Sequence, residues 1–481
     1  MKSLGLDEIC RAVHGRWLRR SEQPVAAGVT TDTRSAKSGQ LYFAIRGERF
    51  DGHDFLRQAL EAGCAAAVVA QDAPQIQHAL GEQGIGLLVV RDTRRALRML
   101  ASFYRGQIAA DVVAVTGSNG KTTVKRMIHH ILSRRLTGSC SPKSYNNEIG
   151  VPLTLLEVGG QDDYVVCEVG SSAPGEVEAL GGIVRPNVVV ITSVGPAHLE
   201  KFGSVERVVM EKASLIGCLV DDGLAVVWAD SEVLAKAVRS YGRRFVRFGL
   251  HDSAELRLTG WAPQGQGQRF QLNGRLWCDL SLPGRHNAIN ALAAIAVAQR
   301  FAFSQEEAAS ALADFSAPEM RLEIIRAGRV TIINDAYNAN PGSVEAAAEV
   351  LADSPGRRRI MVVADMLELG EQAEALHLEA GRCIAAKANA ADGRKIDLLI
   401  GVGRLGRYIA QGAAESRLAT ETYKSPREVS AHIAALLRGG DVVLIKGSRA
   451  TGMDALVEPI RRAFGKPASS RKAKSSKGRK R

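Results

Sequence analysis

The sequence predicts an α/β protein of several domains, built on mostly parallel sheets. One observation is a recurring type of apolar run: "DVVAVTG" (111–117), "YVVCEVG" (164–170), "NVVVITSVG" (187–195), "LAVVWAD" (224–230), "IMVVADM" (360–366), "DLLIGVG" (397–403) and "DVVLIKGS" (441–448). Runs that are apolar at nearly every position form strands buried on both faces, and helical patterns between them make the strands parallel. A second observation is the stretch "VAVTGSNGKTTVKR" (113–126), in which such a strand runs through a glycine-rich turn into a helix, a shape that holds a phosphate.

Length sets the scale. A chain of 481 residues exceeds what one hydrophobic core supports, so about two to four domains are expected. Boundaries fall near residue 108, before the first strong strand, and near 317, around "FSAPEMR". The segment from about 245 to 282 differs from the rest. Its Gly/Gln punctuation ("APQGQGQ") and alternating stretches suggest a short antiparallel patch.

Composition excludes several classes. A hydrophobic share of 46% and a charged share of 24% are those of an ordinary soluble globular protein. No apolar run reaches the roughly 18 residues of a spanning helix, so stable membrane insertion is not expected. The start, "MKSLGLDEICRAVHG", mixes charge into its apolar positions and lacks the apolar core of a signal peptide. The seven cysteines (10, 64, 140, 167, 218, 278, 383) are scattered, odd in number and without a CxxC. That fits a reducing cytoplasm better than a disulfide framework or a zinc site.

The net charge of +12 suggests nucleic acid until it is located. Eight of the basic residues lie in the tail "KPASSRKAKSSKGRKR" (466–481), which has no acid and leaves an unremarkable excess of +4 for the rest. Rich in Lys, Ser and Gly, the tail is expected to be disordered. It could attract polyanions or an acidic membrane surface loosely, or be a solvated extension; no specific nucleic-acid partner is expected.

The phosphate loop is the sharpest chemical signal. Gly117 and Gly120 let backbone amides approach a phosphate closely, and the helix opened by Lys121 adds partial positive charge. Lys121 can neutralise phosphate oxygens and the Thr122 hydroxyl can ligate Mg²⁺. The spacing is G-x-x-G-K-T, with Val115 at the earlier glycine position of the fuller pattern. Open parallel sheets present ligands to the carboxyl ends of their strands. "YVVCEVG" delivers Glu168 there and "VVVITSVGPAHLE" delivers His198. Either alone reads as a solvated or satisfied polar group; together with the loop they suggest metal ligands.

"DLLIGVGRLG" places Gly401, Gly403 and Gly406 after a strand, with Glu415 and Glu421 further on. On paper this meets the dinucleotide fingerprint. Any tight strand-to-helix turn favours glycine, so a nicotinamide cofactor is not expected.

The motifs "VTGSNGKTT", "SYNNEIGVPLTLL", "AHLEKFGS", "GRHNAINALAA", "INDAYNANPGSVEAA", "DMLELG" and "VLIKGSRATGMD", in this order, resemble the Mur ligases from about residue 29 to 460. The resemblance implies three domains: an N-terminal UDP-substrate domain (1–108), a central P-loop ATPase domain with a mostly parallel sheet (109–317) and a C-terminal Rossmann-like domain (318–465). It implies an ATP-dependent amide ligase that joins D-Ala-D-Ala to UDP-N-acetylmuramoyl-tripeptide through an acyl phosphate, with two Mg²⁺ ions, working as a cytoplasmic monomer.

It also implies roles. Gly117, Ser118, Asn119, Gly120, Lys121, Thr122 and Thr123 would cradle the ATP phosphates. Thr122, Glu168 and His198 would hold magnesium. Lys212, in "VVMEKASLI", stands fourteen residues after His198, where the family places a carbamylated lysine; a carbamate offers the oxygen ligands Mg²⁺ prefers. The following residues read "KASL" rather than the usual "KGEI". Asn287 would meet the adenine, Asp335 the ribose, and Arg321 the γ-phosphate. Asn146 and Asn147 would contact the muramoyl end, and Asn338 and Asn340 would order a loop near the second substrate. In "TTDTRSAKSGQLYFAIRGERFDGHDF", Thr31, Arg34, Asp51 and His53 would bind the UDP moiety. Other amino acid ligases of the Mur or folylpolyglutamate type remain open, as does a regulatory nucleotide-binding ATPase, which only the basic tail favours.

Overall fold

In the computed structural model, residues 1–76, 85–388 and 395–465 are described; the tail 466–481 lies outside them. The chain divides into two compact units. The first comprises residues 1–262, 267–281 and 285–316, and the second 263–266, 282–284 and 317 onward.

The first unit holds two large sheets. The smaller has the order Arg16–Arg19, Gly86–Val90, Ala66–Ala70, Leu41–Phe43, Val29–Thr30. Its strands are parallel except Arg16–Arg19, an antiparallel edge. Ala66–Ala70 and Gly86–Val90 are buried at every position, as an apolar run covered on both faces must be.

The larger sheet positions the site. From one edge its order is Leu276–Leu280, Gly267–Leu272, Leu256–Gln264, Phe245–Gly249, Leu224–Trp228, Val188–Ile191, Asp111–Thr116, Tyr164–Glu168, Gly138–Cys140. The strand entering the phosphate loop, Asp111–Thr116, lies between Tyr164–Glu168 and Val188–Ile191, parallel to both. Glu168 is in register with Val115, and Ile191 with Thr116. The carboxyl ends of three strands therefore open on one edge. The patch read as antiparallel starts later than its sequence suggested. Phe245–Gly249 is parallel to Leu224–Trp228, and Gly267–Leu272 pairs antiparallel with Leu276–Leu280. Its polar punctuation marks a hairpin, while the strand before it continues the parallel core.

The helix Thr93–Arg105 spans the two sheets. Leu97, Leu100 and Tyr104 on its buried face share one core with Val68 and Leu88 of the smaller sheet and Val112, Val165 and Val189 of the larger. The Asp92 carboxylate caps it by accepting from the Arg95 amide.

The second unit is a six-stranded sheet ordered Glu323–Ala327, Val330–Asp335, Val442–Lys446, Arg359–Ala364, Leu398–Val402, Thr420–Tyr423. All are parallel except the antiparallel edge Glu323–Ala327. The glycine turn after Leu398–Val402 enters the helix Gly403–Ala414. Its N-terminus is already served: Asp365 Oδ1 accepts from the Leu405 and Gly406 amides, each at 2.8 Å. A carboxylate thus sits where a dinucleotide's pyrophosphate would. Among the described residues no helix is long and apolar enough to cross a membrane.

Candidate active site

The helix Lys121–Leu132 opens directly from the loop, and no side chain caps it. Gly120, its N-cap, has φ +83°, and Gly117 has φ +140°. A Cβ on Gly117 would lie 2.2 Å from Thr192 Oγ1, and one on Gly120 2.5 Å from Asn290 Oδ1. Both positions therefore require glycine on two counts. The loop is laced to the end of the next strand. The Ser118 amide donates to Ser193 O at 2.7 Å, the Asn119 amide to Ser193 Oγ at 3.2 Å, and the Thr192 hydroxyl to Asn119 O. An uncapped helix N-terminus behind a fixed glycine turn is an anion cradle. Lys121 Nζ lies over it, donating to Gly117 O at 2.6 Å and Ser118 O at 3.2 Å.

Glu168 joins this cradle. It is buried, with 1% exposure. Its Oε2 accepts from the Thr122 hydroxyl at 2.9 Å, and its Oε1 accepts from Asn146 Nδ2, also at 2.9 Å. Sequence reading missed the third partner: Lys125 Nζ stands 3.1 Å from Oε2, with no exposed side-chain surface. A helical lysine reads as a surface residue. The signal was its place one turn after Lys121, on the face that opens toward the loop.

Lys212 belongs to the same neighbourhood. Its Nζ donates to Ser171 Oγ at 2.6 Å. Burial, and then the nearby Lys121 ammonium, push its pKa down to about 7. The preceding residue, Glu211, turns away and accepts from the Gly175 and Val177 amides at the start of the helix Glu176–Val184. His198 is half-buried at the N-cap of the short helix Leu199–Phe202, in left-handed conformation with φ +54°. Asn287 is buried in the helix Arg285–Arg300, and its Oδ1 accepts from Asn290 Nδ2 at 3.1 Å. Through Asn290 this helix abuts Gly120.

Asn147 serves the backbone: its Oδ1 accepts from the Ile149 and Gly150 amides at the start of the helix Gly150–Glu157. In the N-terminal segment, Asp51 Oδ1 lies 2.5 Å from His53 Nδ1, and His53 Nε2 accepts from the Ala70 amide at 2.9 Å. Both ring nitrogens of buried His53 are used within the protein, clamping its turn to the end of the strand Ala66–Ala70. Arg34 is exposed and forks onto Asp32 at 2.6 and 2.9 Å. Thr31 stands half-buried beside it.

Arg321, Asp335, Asn338 and Asn340 gather in the second unit. Met320 and Leu322, flanking Arg321, both have positive φ, +55° and +54°. The Leu322 amide donates to Asp335 Oδ1 at 3.2 Å, and the Arg321 guanidinium lies 4.2 Å over the Tyr337 ring. Lys446, also missed by sequence reading, is buried and donates to Asp335 Oδ2 at 2.5 Å and to Asn338 O at 3.0 Å. Asn340 forms a capping box with Ser343 at the start of the helix Pro341–Asp353.

This chain is similar over its length to known proteins. Residues 26–105 match the Mur ligase family catalytic domain, 115–298 the Mur ligase middle domain, and 320–449 the Mur ligase glutamate ligase domain. A UDP-N-acetylmuramoyl-tripeptide–D-alanyl-D-alanine ligase of Bacillus subtilis is 34% identical over 444 residues, covering 91% of this chain and 94% of the relative. The chain belongs to the Mur ligase family. The Escherichia coli enzyme of the same name is 36% identical to this Mur ligase, over 90% of this chain and 93% of its own. A crystal structure of MurF from Acinetobacter baumannii superposes with a TM-score of 0.84 at 30% identity, over 96% of this chain and 99% of that one. MurF from Thermotoga maritima in complex with ADP gives 0.77 at 26%, over 91% and 97%.

The cradle of this Mur ligase fits a nucleoside triphosphate with magnesium. The glycine turn and uncapped helix suit phosphates, and a hydroxyl beside a buried carboxylate offers the oxygen donors a hard cation takes. Among the described residues, no three His, Cys, Asp or Glu side chains form a metal site by themselves. Phosphate oxygens and water would complete the coordination.

Proposed function

We propose that this Mur ligase joins D-Ala-D-Ala to UDP-N-acetylmuramoyl-tripeptide at the expense of ATP, the last cytoplasmic step of peptidoglycan precursor synthesis. The Thr122–Glu168 pair at the mouth of the glycine loop carries the reading, in a chain whose full-length relatives bear that activity's name. A terminal carboxylate oxygen of the tripeptide attacks the γ-phosphorus and ADP leaves. The dipeptide amine then attacks the acyl carbon, phosphate leaves, and the amine sheds a proton.

Such chemistry needs positioning and charge neutralisation, not a protein nucleophile. Gly117 to Thr123 cradle the phosphates, and Lys121 swings from the Gly117 and Ser118 carbonyls to the phosphate oxygens. Bound Mg²⁺ supplies charge neutralisation where two anions meet. Thr122, Glu168, His198 and a carbamate on Lys212 would hold two ions. With its pKa near 7, Lys212 is largely the neutral amine above neutrality, the form that adds CO₂. Arg321, held over Tyr337, meets the γ-phosphate, Asn287 the adenine and Asp335 the ribose. Asn146 links the muramoyl end to Glu168. Asn147 joins Asn146 at the muramoyl end, Asn338 and Asn340 order the loop near the second substrate, and Thr31, Arg34, Asp51 and His53 build the UDP end.

ADP release with Mg²⁺-ATP and UDP-N-acetylmuramoyl-tripeptide, with and without D-Ala-D-Ala, tests the proposal. Release that requires the dipeptide, with a pentapeptide product by mass, supports it. Release that requires another amine moves the assignment to a different Mur-type ligase, and release indifferent to every acceptor overturns ligation.

A further inference from the structure

Lys125 is the one lysine of the loop helix with no exposed side-chain surface. Its Nζ lies 3.1 Å from Glu168 Oε2 and also donates to the Lys143 carbonyl. Lys143 has φ +43° and belongs to the segment that turns from the strand Gly138–Cys140 toward Asn146. Asn146 closes the circuit by donating to Glu168 Oε1 at 2.9 Å. Ser141 Oγ accepts from the Glu168 amide at 3.0 Å. The glutamate is thus held from its backbone and both carboxylate oxygens. A buried ammonium is expensive to desolvate and is retained only where its partners use it.

We propose that Lys125 is a positioning residue for the cation beside the phosphates. It fixes the rotamer of Glu168 and ties that carboxylate to the segment 141–147. This rests on the proposed reading of Glu168 as a carboxylate that faces Mg²⁺-ATP. Partners one shell behind a metal's ligands orient them, and losing such a partner typically costs about 10- to 100-fold in metal affinity.

The test is calorimetric titration of the full chain with ATP, in excess Mg²⁺ and in chelator. The readout is the factor by which Mg²⁺ tightens ATP. In Lys125→Met this factor falls at least about tenfold, while ATP affinity in chelator and far-UV circular dichroism stay near the parent's. Arg126→Met removes a cation from the exposed neighbouring position of the same helix and keeps the parent's factor. If Lys125→Met does not fold, Lys125→Ala, which removes both donor and charge, is read the same way. A factor equal to the parent's, or larger, overturns the positioning role while leaving the proposed function intact. A parent whose ATP affinity ignores Mg²⁺ overturns both.

Discussion

Lys446 Nζ stands 2.5 Å from Asp335 Oδ2, a buried ammonium against a carboxylate whose side chain is 15% exposed. The other oxygen of Asp335 holds the Leu322 amide, so the pair braces the turn that presents Arg321. Lys446→Met leaves the carboxylate without its counter-charge. Breaking one partner of a buried pair costs about 3 kcal/mol or more, and urea unfolding of the variant should show a loss of that size.

Gly120→Ala should weaken ATP binding by two separable effects. The residue sits at φ +83°, which costs a non-glycine residue about 1 kcal/mol, and its Cβ would collide with Asn290 Oδ1. Adding Asn290→Ala removes the collision, at the loss of the smaller Asn290–Asn287 hydrogen bond, and leaves the backbone cost. Calorimetry should therefore find the double variant binding ATP more tightly than Gly120→Ala and less tightly than the parent. Equal affinities for the two variants would show that the Asn290 contact is immaterial.

Lys212 should take up CO₂. Burial, with Lys121 second, lowers its pKa to about 7, so the reactive neutral amine grows as pH rises through that value. Protein equilibrated with ¹³C-bicarbonate should show a carbamate carbon resonance, stronger at about pH 8 than at about pH 6 and missing in Lys212→Ala. An identical signal in that variant would place the label elsewhere.

His377 should make the second unit acid-sensitive. Its Nε2 accepts from the Met366 amide at 2.9 Å, and Nδ1 donates to Ala373 O at 2.6 Å. Burial lowers its pKa, so the unfolded chain binds the proton more readily than the folded one. Its contribution to stability is complete above the unfolded pKa of about 6.5 and is lost as pH falls through the lower folded value. The thermal midpoint should drop between about pH 7.5 and about pH 5.5, and drop less in His377→Gln. Equal drops in the two proteins would exclude His377 as the cause.

Much of this was legible in the sequence because it is local. The strand–turn–helix around Gly117 and Gly120, the strand end at Glu168 and the alternation that makes sheets parallel are all written in consecutive residues. What was not legible depends on pairing. Lys125 and Lys446 look like any lysine until their helix or strand is set against a carboxylate 43 or 111 residues away. Likewise, Phe245–Gly249 could be placed in the parallel sheet only by its neighbour Leu224–Trp228. Asp335 and His53 sat in motifs, but their bonds to Lys446 and the Ala70 amide are tertiary facts.

The carboxylate of Asp365 on the Leu405 and Gly406 amides is a tethered inhibitor in miniature. A group joined to the same chain competes at an effective concentration in the millimolar range or above, and a free dinucleotide at cellular levels meets it at that disadvantage. The second unit can therefore keep the architecture of a cofactor-binding fold while the amides that open its glycine-turn helix are occupied from within the same chain.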